Sequence, residues 1–278
     1  MRNTLIIMPA YNVEKEIYNL LFEMQNYRNN TIIVDDGSTD NTFQIIDSLN
    51  YNVIRQDKNG GVASAIRIGI NYAMSNGYQN AIFMDSDGQH SPKYIDVFIK
   101  MLEKYDFVVG NRFHNHTTAP DIKLGSNLLA SIIIKKISGQ KYNDISCGYK
   151  AIKLNEDLRL SLDKSNGYSL VFDLFFYALN HNYKIGTIDM EAVYDYSTFL
   201  MTRKTELLAF ISALELHVSN GLLEKLCIND LKDKVLERRD FIYVIDNITF
   251  YGFYIRERDG YIVQSDPIKL RAYLNIES

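Results

Sequence analysis

The sequence predicts an α/β protein: a mainly parallel sheet flanked by helices, followed by a helical and small β-rich C-terminal extension. Three observations carry this prediction. Over the first 110 residues, short continuous apolar runs alternate with stretches of helical periodicity, the pattern of βαβ crossovers. Acidic clusters at 35–40 and 85–90 follow directly on two of those runs, where open α/β sheets place their ligands. After residue 240 the pattern changes to alternation, as in Phe241, Tyr243 and Ile245, which suits strands with one buried face.

The elements follow in order. Leu5–Met8 is an apolar run suited to a strand buried on both faces, and Glu14–Met24 places Ile17, Leu20, Leu21 and Met24 on one helical face. Thr31–Val34 is a second strand, and Thr39 or Asp40 caps a helix carrying Phe43, Ile46 and Leu49. Val53-Ile54 is a third strand and Val62–Met74 a helix; Ala81–Met84, a helix over Pro92–Leu102, and Phe107–Gly110 complete the series. The polar stretch His114–Lys123, with Pro120, reads as a loop. Leu124–Ser138, 168–181 and 203–237 read as helices, and Asp259-Gly260 as a hairpin turn between the last strands.

Composition limits the function classes. Thirty Lys and Arg against 34 Asp and Glu give a formal charge of −4, the opposite of a nucleic-acid footprint. Two cysteines, Cys147 and Cys227, build neither a disulfide framework nor a Cys-rich zinc site, and they suit a reducing compartment. The apolar stretches Leu128–Ile137 and Leu207–Leu216 fall short of the ~20 residues a spanning helix needs. The expected setting is cytoplasmic, with the inner membrane face as a further candidate location. The 20 Tyr and 14 Phe, without Trp, concentrate partly in the tail, where they suit a packed sheet or an interface.

Three clusters carry chemistry. In Asp85-Ser86-Asp87-Gly88-Gln89-His90, two carboxylates spaced by one residue can converge on one divalent cation, with Gln89 a further hard oxygen; a capped polar turn is the plain alternative. In Asp35-Asp36-Gly37-Ser38-Thr39-Asp40, a carboxylate at a strand end can accept from the N–H edge of uracil or guanine, or simply form a turn. Asn59-Gly60-Gly61-Val62-Ala63-Ser64-Ala65 opens a helix with small residues, suited to a phosphate or to tight packing.

Their order, together with Pro9-Ala10-Tyr11-Asn12 and Val109-Gly110-Asn111-Arg112-Phe113, resembles the family 2 glycosyltransferases of the GT-A (Rossmann-like) fold. It is most similar to the polyprenyl- and dolichyl-phosphate sugar transferases, whose acidic motif Asp-Ala-Asp-Gly-Gln-His departs only at Ser86. The resemblance covers residues 4–200. It implies a GT-A catalytic domain over 1–200 and an extension over 201–278. It implies a nucleotide-sugar site formed by Pro9, Ala10, Tyr11, Asp36, Asn59, Gly61, Ala65, Asp85 and Ser86, with Mg²⁺ or Mn²⁺ on Asp85, Asp87 and Gln89. Arg112, with Lys123 or Lys150, would contact an acceptor phosphate, and Asp144-Ile145-Ser146-Cys147-Gly148-Tyr149-Lys150 matches an acceptor-side motif. Lys150 stands where the family has Arg, a point charge in place of a fork, and Val13 where many lipid-phosphate members have Glu.

The implied reaction is an inverting hexosyl transfer from a UDP- or GDP-sugar. Asp87, Arg112 and Asp144 are the catalytic candidates, Asp144 as general base for a hydroxyl acceptor. The acceptor is a polyprenyl phosphate or, alternatively, a capsule, lipopolysaccharide or glycoprotein glycan; a non-catalytic nucleotide- or glycan-binding scaffold is the reading from another class. Peripheral membrane contact and a homodimer through the extension are candidate associations. His114 and His116 are not expected to form a zinc site, and Cys147 is expected to be packed.

Overall fold

The structure, a computed structural model, describes residues 3–114, 121–165, 167–193 and 202–274. The strands are β1 (Thr4–Ala10), β2 (Thr31–Asp35), β3 (Asn52–Arg55), β4 (Asn80–Phe83), β5 (Phe107–Asn111), β6 (Lys150–Lys153), β7 (Ile185–Asp189), β8 (Thr202–Arg203), β9 (Phe241–Ile245), β10 (Ile248–Ile255) and β11 (Gly260–Gln264). The helices are α1 (Ile17–Glu23), α2 (Thr42–Ser48), α3 (Val62–Ser75), α4 (Ile95–Met101), α5 (Asp121–Ser138), α6 (Glu156–Ser161), α7 (Ser169–Asn180), α8 (Lys204–His217), α9 (Asn220–Lys225), α10 (Ile228–Leu236) and α11 (Pro267–Leu274).

The chain packs as two compact units, residues 1–110, 148–170 and 180–188 forming the first and 111–147, 171–179 and 189–278 the second. This division differs from a boundary at residue 200, because α5 packs on β11 and so belongs with the C-terminal sheet.

The first unit is built on a seven-stranded sheet in the order β3-β2-β1-β4-β6-β5-β7. β1 runs parallel to both β2 and β4, and β2 parallel to β3; β6 is antiparallel to its neighbours β4 and β5. The apolar runs Leu5–Met8, Ile32–Val34 and Ala81–Met84 are buried on both faces, as their continuous hydrophobicity requires. The chain winds outward from β1 to β3, then returns to place β4 on the other side of β1. That reversal is a topological switch point, and it opens a crevice at the carboxyl ends of β1, β2 and β4. The Pro9, Asp36 and Asp85 motifs all lie on those three strand ends.

Two strands of this sheet carry no apolar run. Lys-Ala-Ile-Lys of β6 has lysines at both ends yet is largely buried, and Lys150 is only 1% exposed. β7 places Gly186 and Thr187 among its five residues and alternates in burial.

In the second unit the apolar stretch of α5 is core, with Leu128, Leu129 and Ile132–Ile134 buried. Among the described residues, no helix is long and apolar enough to cross a membrane. The expected helix over 203–237 is three helices, α8, α9 and α10. It breaks where Ser219 is extended and where Cys227 takes a left-handed conformation (φ 52°), so the apolar periodicity continues while the axis does not.

The tail sheet has the order β8-β11-β10-β9. Its tight two-residue turn is Asp246-Asn247, both left-handed (φ 51° and 60°), the requirement of a type I′ hairpin. Asp259 does lie between β10 and β11, with Gly260 opening β11, but there residues 256–258 form a 3₁₀ turn closed by left-handed Asp259. Phe241, Tyr243, Ile245 and Phe250 face inward, and Tyr243 donates to the Leu226 carbonyl at 2.5 Å.

Burial pushes the pKa of Tyr243 and of Tyr261 up to about 12, against ~10 in an unfolded chain. A raised folded-state pKa contributes stability that is complete below pH ~10 and is lost as pH rises toward 12. Alkaline titration should therefore show these tyrosines ionising together with loss of the far-ultraviolet β signal in that window. Tyr243→Phe should remove part of the late tyrosinate absorbance.

Candidate active site

The loops after β1 and β2 are laced together by side chains that cap each other's backbone. Asn12, left-handed at φ 52°, donates its N–H to Ser38 Oγ at 3.0 Å and accepts from Thr39 N at 2.9 Å. Val13 N donates to Thr42 Oγ1, Glu14 N to Asp40 Oδ2, and the Asn41 N–H to Glu14 Oε2. Asp40 also accepts from Thr42 N at 3.0 Å, but the N-cap of α2 is Asn41, one residue beyond the expected Thr39 or Asp40. Burial works against its ionisation, but the hydrogen bonds from Thr42 and Glu14 outweigh that and hold its pKa below the ordinary value.

Asp36 is buried at the head of this crevice, its own N–H donating to the Ala10 carbonyl at 2.8 Å. Its Oδ1 accepts from the Gln56 amide and from Gly60 N at 2.8 Å; its Oδ2 accepts from Gly61 N at 2.8 Å. Three of about four lone-pair sites on the carboxylate are thus occupied by the loop before α3. Asp36 thereby braces the glycine loop. Gly37, at φ +73°, packs so closely on this loop that a Cβ would stand 2.7 Å from the Lys58 carbonyl carbon. Asn59 accepts from Gly61 N, and Ala65 is buried inside α3. Tyr11 is 45% exposed, so it alone of the Pro9-Ala10-Tyr11 trio offers a large open face.

Gln56 carries no motif, yet it joins Asp36 to Ser64, whose hydroxyl donates to Gln56 Oε1 at 2.9 Å. A glutamine one residue beyond a short strand gives no sequence signal of this kind. A polar hollow of about 580 Å³ lies alongside, lined by Gly37–Asp40, Gln44 and Arg55–Asp57. Its lining includes neither Asp36 nor the acidic pair of β4.

That acidic pair follows β4. Ser86 is buried and donates to the Pro9 carbonyl at 2.7 Å, tying the turn to β1. Gln89 N donates to Asp87 Oδ1 at 3.0 Å. Enclosure of its carboxyl, then the charge of Asp85, push the Asp87 pKa above the ordinary carboxylate value, although much of the residue's surface is open. Two carboxylates that repel one another are a donor set a hard divalent cation would relieve. Space beside them is preserved too, since a Cβ on Gly148 would stand 2.6 Å from Asp85 Oδ2. Among the described residues, no group of three or more His, Cys, Asp or Glu side chains forms a closed metal cage. Asp85 and Asp87 therefore suit a cation that takes its remaining ligands from water, an amide such as Gln89, or a bound phosphate.

Arg112 and Asp144 belong to the second unit and form a forked pair. Arg112 Nε donates to Asp144 Oδ2 at 2.7 Å and Nη2 to Oδ1 at 3.1 Å, with the Arg112 N–H also on Oδ2. Asp144 Oδ1 further accepts from Cys147 N and Ser146 Oγ. Asp144, expected as a general base, is thus buried and engaged by Arg112, Ser146 and Cys147.

Of the acceptor candidates, Lys150 is buried in β6. Lys123 lies on the first turn of α5, and its side chain falls outside the described residues, as does His116. His114 Nε2 lies 3.2 Å from the Met190 carbonyl, and Cys147 is packed with its sulfur 3.9 Å from Met190 Sδ.

The fold and the order of motifs define a GT-A glycosyltransferase, and comparison with known proteins identifies the lineage. Residues 5–156 match the family model described as "Glycosyl transferase family 2". The chain belongs to that family. A UDP-N-acetylglucosamine–dolichyl-phosphate N-acetylglucosaminyltransferase of Methanococcus voltae is 30% identical over 73% of this chain and 90% of its own length. The polyprenol monophosphomannose synthase of Mycolicibacterium smegmatis is 27% identical over 66% of this chain and 75% of its own. Among solved structures, glucosyl-3-phosphoglycerate synthase of Mycobacterium tuberculosis with Mn²⁺, UDP-glucose and phosphoglyceric acid superimposes at a TM-score of 0.57. It covers 78% of this chain and 81% of that one at 16% identity, a likeness of fold.

Proposed function

We propose that this glycosyltransferase is an inverting, metal-dependent enzyme that moves a sugar from a UDP- or GDP-linked donor to a polyprenyl-phosphate acceptor. The observation that carries the reading is the Asp85/Asp87 pair at the carboxyl end of β4, bordering the switch-point crevice. The names of the relatives from Methanococcus voltae and Mycolicibacterium smegmatis support a polyprenyl- or dolichyl-phosphate acceptor. The Mn²⁺ in the Mycobacterium tuberculosis neighbour supports the metal.

In this reading an oxygen of the acceptor phosphate attacks the anomeric carbon as the bond from that carbon to the donor phosphate breaks. The electron pair leaves with the nucleoside diphosphate. A phosphate acceptor is already an anion near neutral pH and needs no base, which suits the engagement of Asp144 with Arg112. Asp85 and Asp87, with Gln89, would hold the cation, which would supply Lewis acidity toward the charge on the departing diphosphate. The loop 59–61, braced by Asp36 and Gln56, presents backbone at the opening of α3 for the donor, and Tyr11 offers a face for its base. Arg112, held in a fixed orientation by Asp144, supplies positive charge for the acceptor phosphate. A lipid-borne acceptor also implies peripheral contact with a membrane at its cytoplasmic face.

Thermal-shift screening with UDP- and GDP-sugars, with and without Mn²⁺, tests this reading. A melting temperature raised by one nucleotide class, more so with Mn²⁺, supports it; no rise with any nucleotide favours a scaffold. Gln56→Leu should weaken nucleotide binding about fivefold, the equivalent of one hydrogen bond of ~1 kcal/mol. Isothermal titration with the nucleoside diphosphate would read that change, with Mn²⁺ affinity unaltered.

A further inference from the structure

We propose that Gly148 and His90 are positioning residues that set the Asp85 carboxylate for its divalent cation, and that residue 148 is glycine for this reason. The proposal rests on the metal reading above. Gly148 does not occupy the left-handed region, as Gly37, Gly61 and Gly88 do, so its backbone makes no demand for glycine. The demand is spatial. A Cβ at 148 would stand 2.6 Å from Asp85 Oδ2, 3.2 Å from Asp85 Cγ and 3.2 Å from His90 Cε1. The group it would strike first is the carboxylate oxygen.

His90 holds the same residue from the other end. It is buried, and its Nδ1 accepts the Asp85 backbone N–H at 2.9 Å. A neutral ring accepting at Nδ1 carries its proton on Nε2, and that nitrogen lies 3.6 Å from Asp85 Oδ2. The ring is fixed by stacking on Tyr149 at 4.8 Å, which stacks in turn on Phe98 at 4.5 Å. Tyr149 follows Gly148 directly, so one short segment supplies both the space for the carboxylate and the support for its clamp. Part of the Cys147-Gly148-Tyr149-Lys150 motif, whose likeness implied an acceptor role, is thereby assigned to the metal side.

Substitutions that disturb the support of a metal ligand typically lower metal affinity by about 10–100-fold. Gly148→Ala should therefore weaken Mn²⁺ binding about tenfold or more, read from the free Mn²⁺ signal in electron paramagnetic resonance with UDP present. The melting temperature and the UDP affinity in EDTA should stay at wild-type values. In an Asp85→Asn background the same substitution should add no further loss.

Mn²⁺ affinity of Gly148→Ala within twofold of wild type would overturn the proposal. Absence of Mn²⁺ binding by the wild type would instead overturn the metal reading beneath it. Should Gly148→Ala not fold, two variants at His90 decide. His90→Asn keeps an acceptor for the Asp85 N–H and loses the stack; His90→Phe keeps the stack and loses the acceptor. Greater loss of Mn²⁺ affinity in His90→Phe supports positioning of Asp85, and equal or greater loss in His90→Asn contradicts it.

Discussion

Asp87→Ala should lower the rate of sugar transfer with saturating Mn²⁺ by about 1000-fold, the upper range for loss of one group that stabilises charge in the transition state. The effect should fall on kcat, because the charge on the leaving diphosphate develops as the bond breaks. The electrostatics of the site add a second, opposite expectation. Enclosure and the neighbouring Asp85 raise the Asp87 pKa, so its contribution favours folding below the unfolded value of ~3.9 and is lost as pH rises through the folded value. At neutral pH the ionised Asp87 therefore costs stability in metal-free protein. Asp87→Asn should melt higher than wild type in EDTA at neutral pH, and the difference should shrink toward pH 4. With Mn²⁺ the order should reverse, since only the wild type gains from the cation. A variant with undiminished transfer would remove Asp87 from the metal site.

Arg112→Ala should raise the acceptor KM about 30-fold, the equivalent of ~2 kcal/mol for a charged hydrogen bond, with donor affinity unchanged. The forked pair makes a sharper expectation. Because Asp144 takes both Nε and Nη2 of Arg112, Asp144→Asn should reproduce much of that rise in KM. The double variant should be little worse than Arg112→Ala alone, the non-additivity of residues that act as one unit. A general base would behave differently: Asp144→Asn would then collapse kcat for every acceptor and shift the pH–rate profile. Asp144→Ala is the less informative change, since removing one partner of a buried ion pair is expected to destabilise the second unit by about 3 kcal/mol, whatever its catalytic role. Kinetics with a polyprenyl phosphate as variable substrate separate these outcomes. Loss of donor binding in Arg112→Ala would move that residue to the donor side.

The fold was legible where strands are buried on both faces, because continuous apolar runs such as Leu5–Met8 and Ala81–Met84 have few other places to go. β6 was hidden by its composition. Four residues with lysine at each end read as surface, and only the antiparallel insertion between β4 and β5 accounts for their burial. The break at Cys227 was hidden for a different reason: unlike glycine, asparagine or aspartate, a cysteine gives no sequence sign that it is left-handed. The tail turns were half legible, Asp259-Gly260 standing out while Asp246-Asn247 makes the tighter hairpin.

At the site, the position of the acidic pair was legible, because the apolar run before it reads as a strand and the pair follows directly on β4. Partnerships across long separations were not legible. Arg112 and Asp144 are 32 residues apart, and each alone suggested contact with a substrate before it suggested contact with the other. Gln56 and Asp36 are 20 apart, and the carboxylate expected to meet a base is bound mostly to its own protein's glycine loop.

The central claim is sugar transfer to a lipid phosphate, assisted by a metal on Asp85 and Asp87. It is tested most directly by mass spectrometry of the lipid product after incubation with a nucleotide-sugar, a polyprenyl phosphate and Mn²⁺. The account predicts a glycosyl phosphate lipid of β-linkage from an α-linked donor, formed with Mn²⁺ and absent in EDTA. Transfer that persists in EDTA, or a sugar delivered to a glycan hydroxyl while the lipid phosphate stays unmodified, would contradict it.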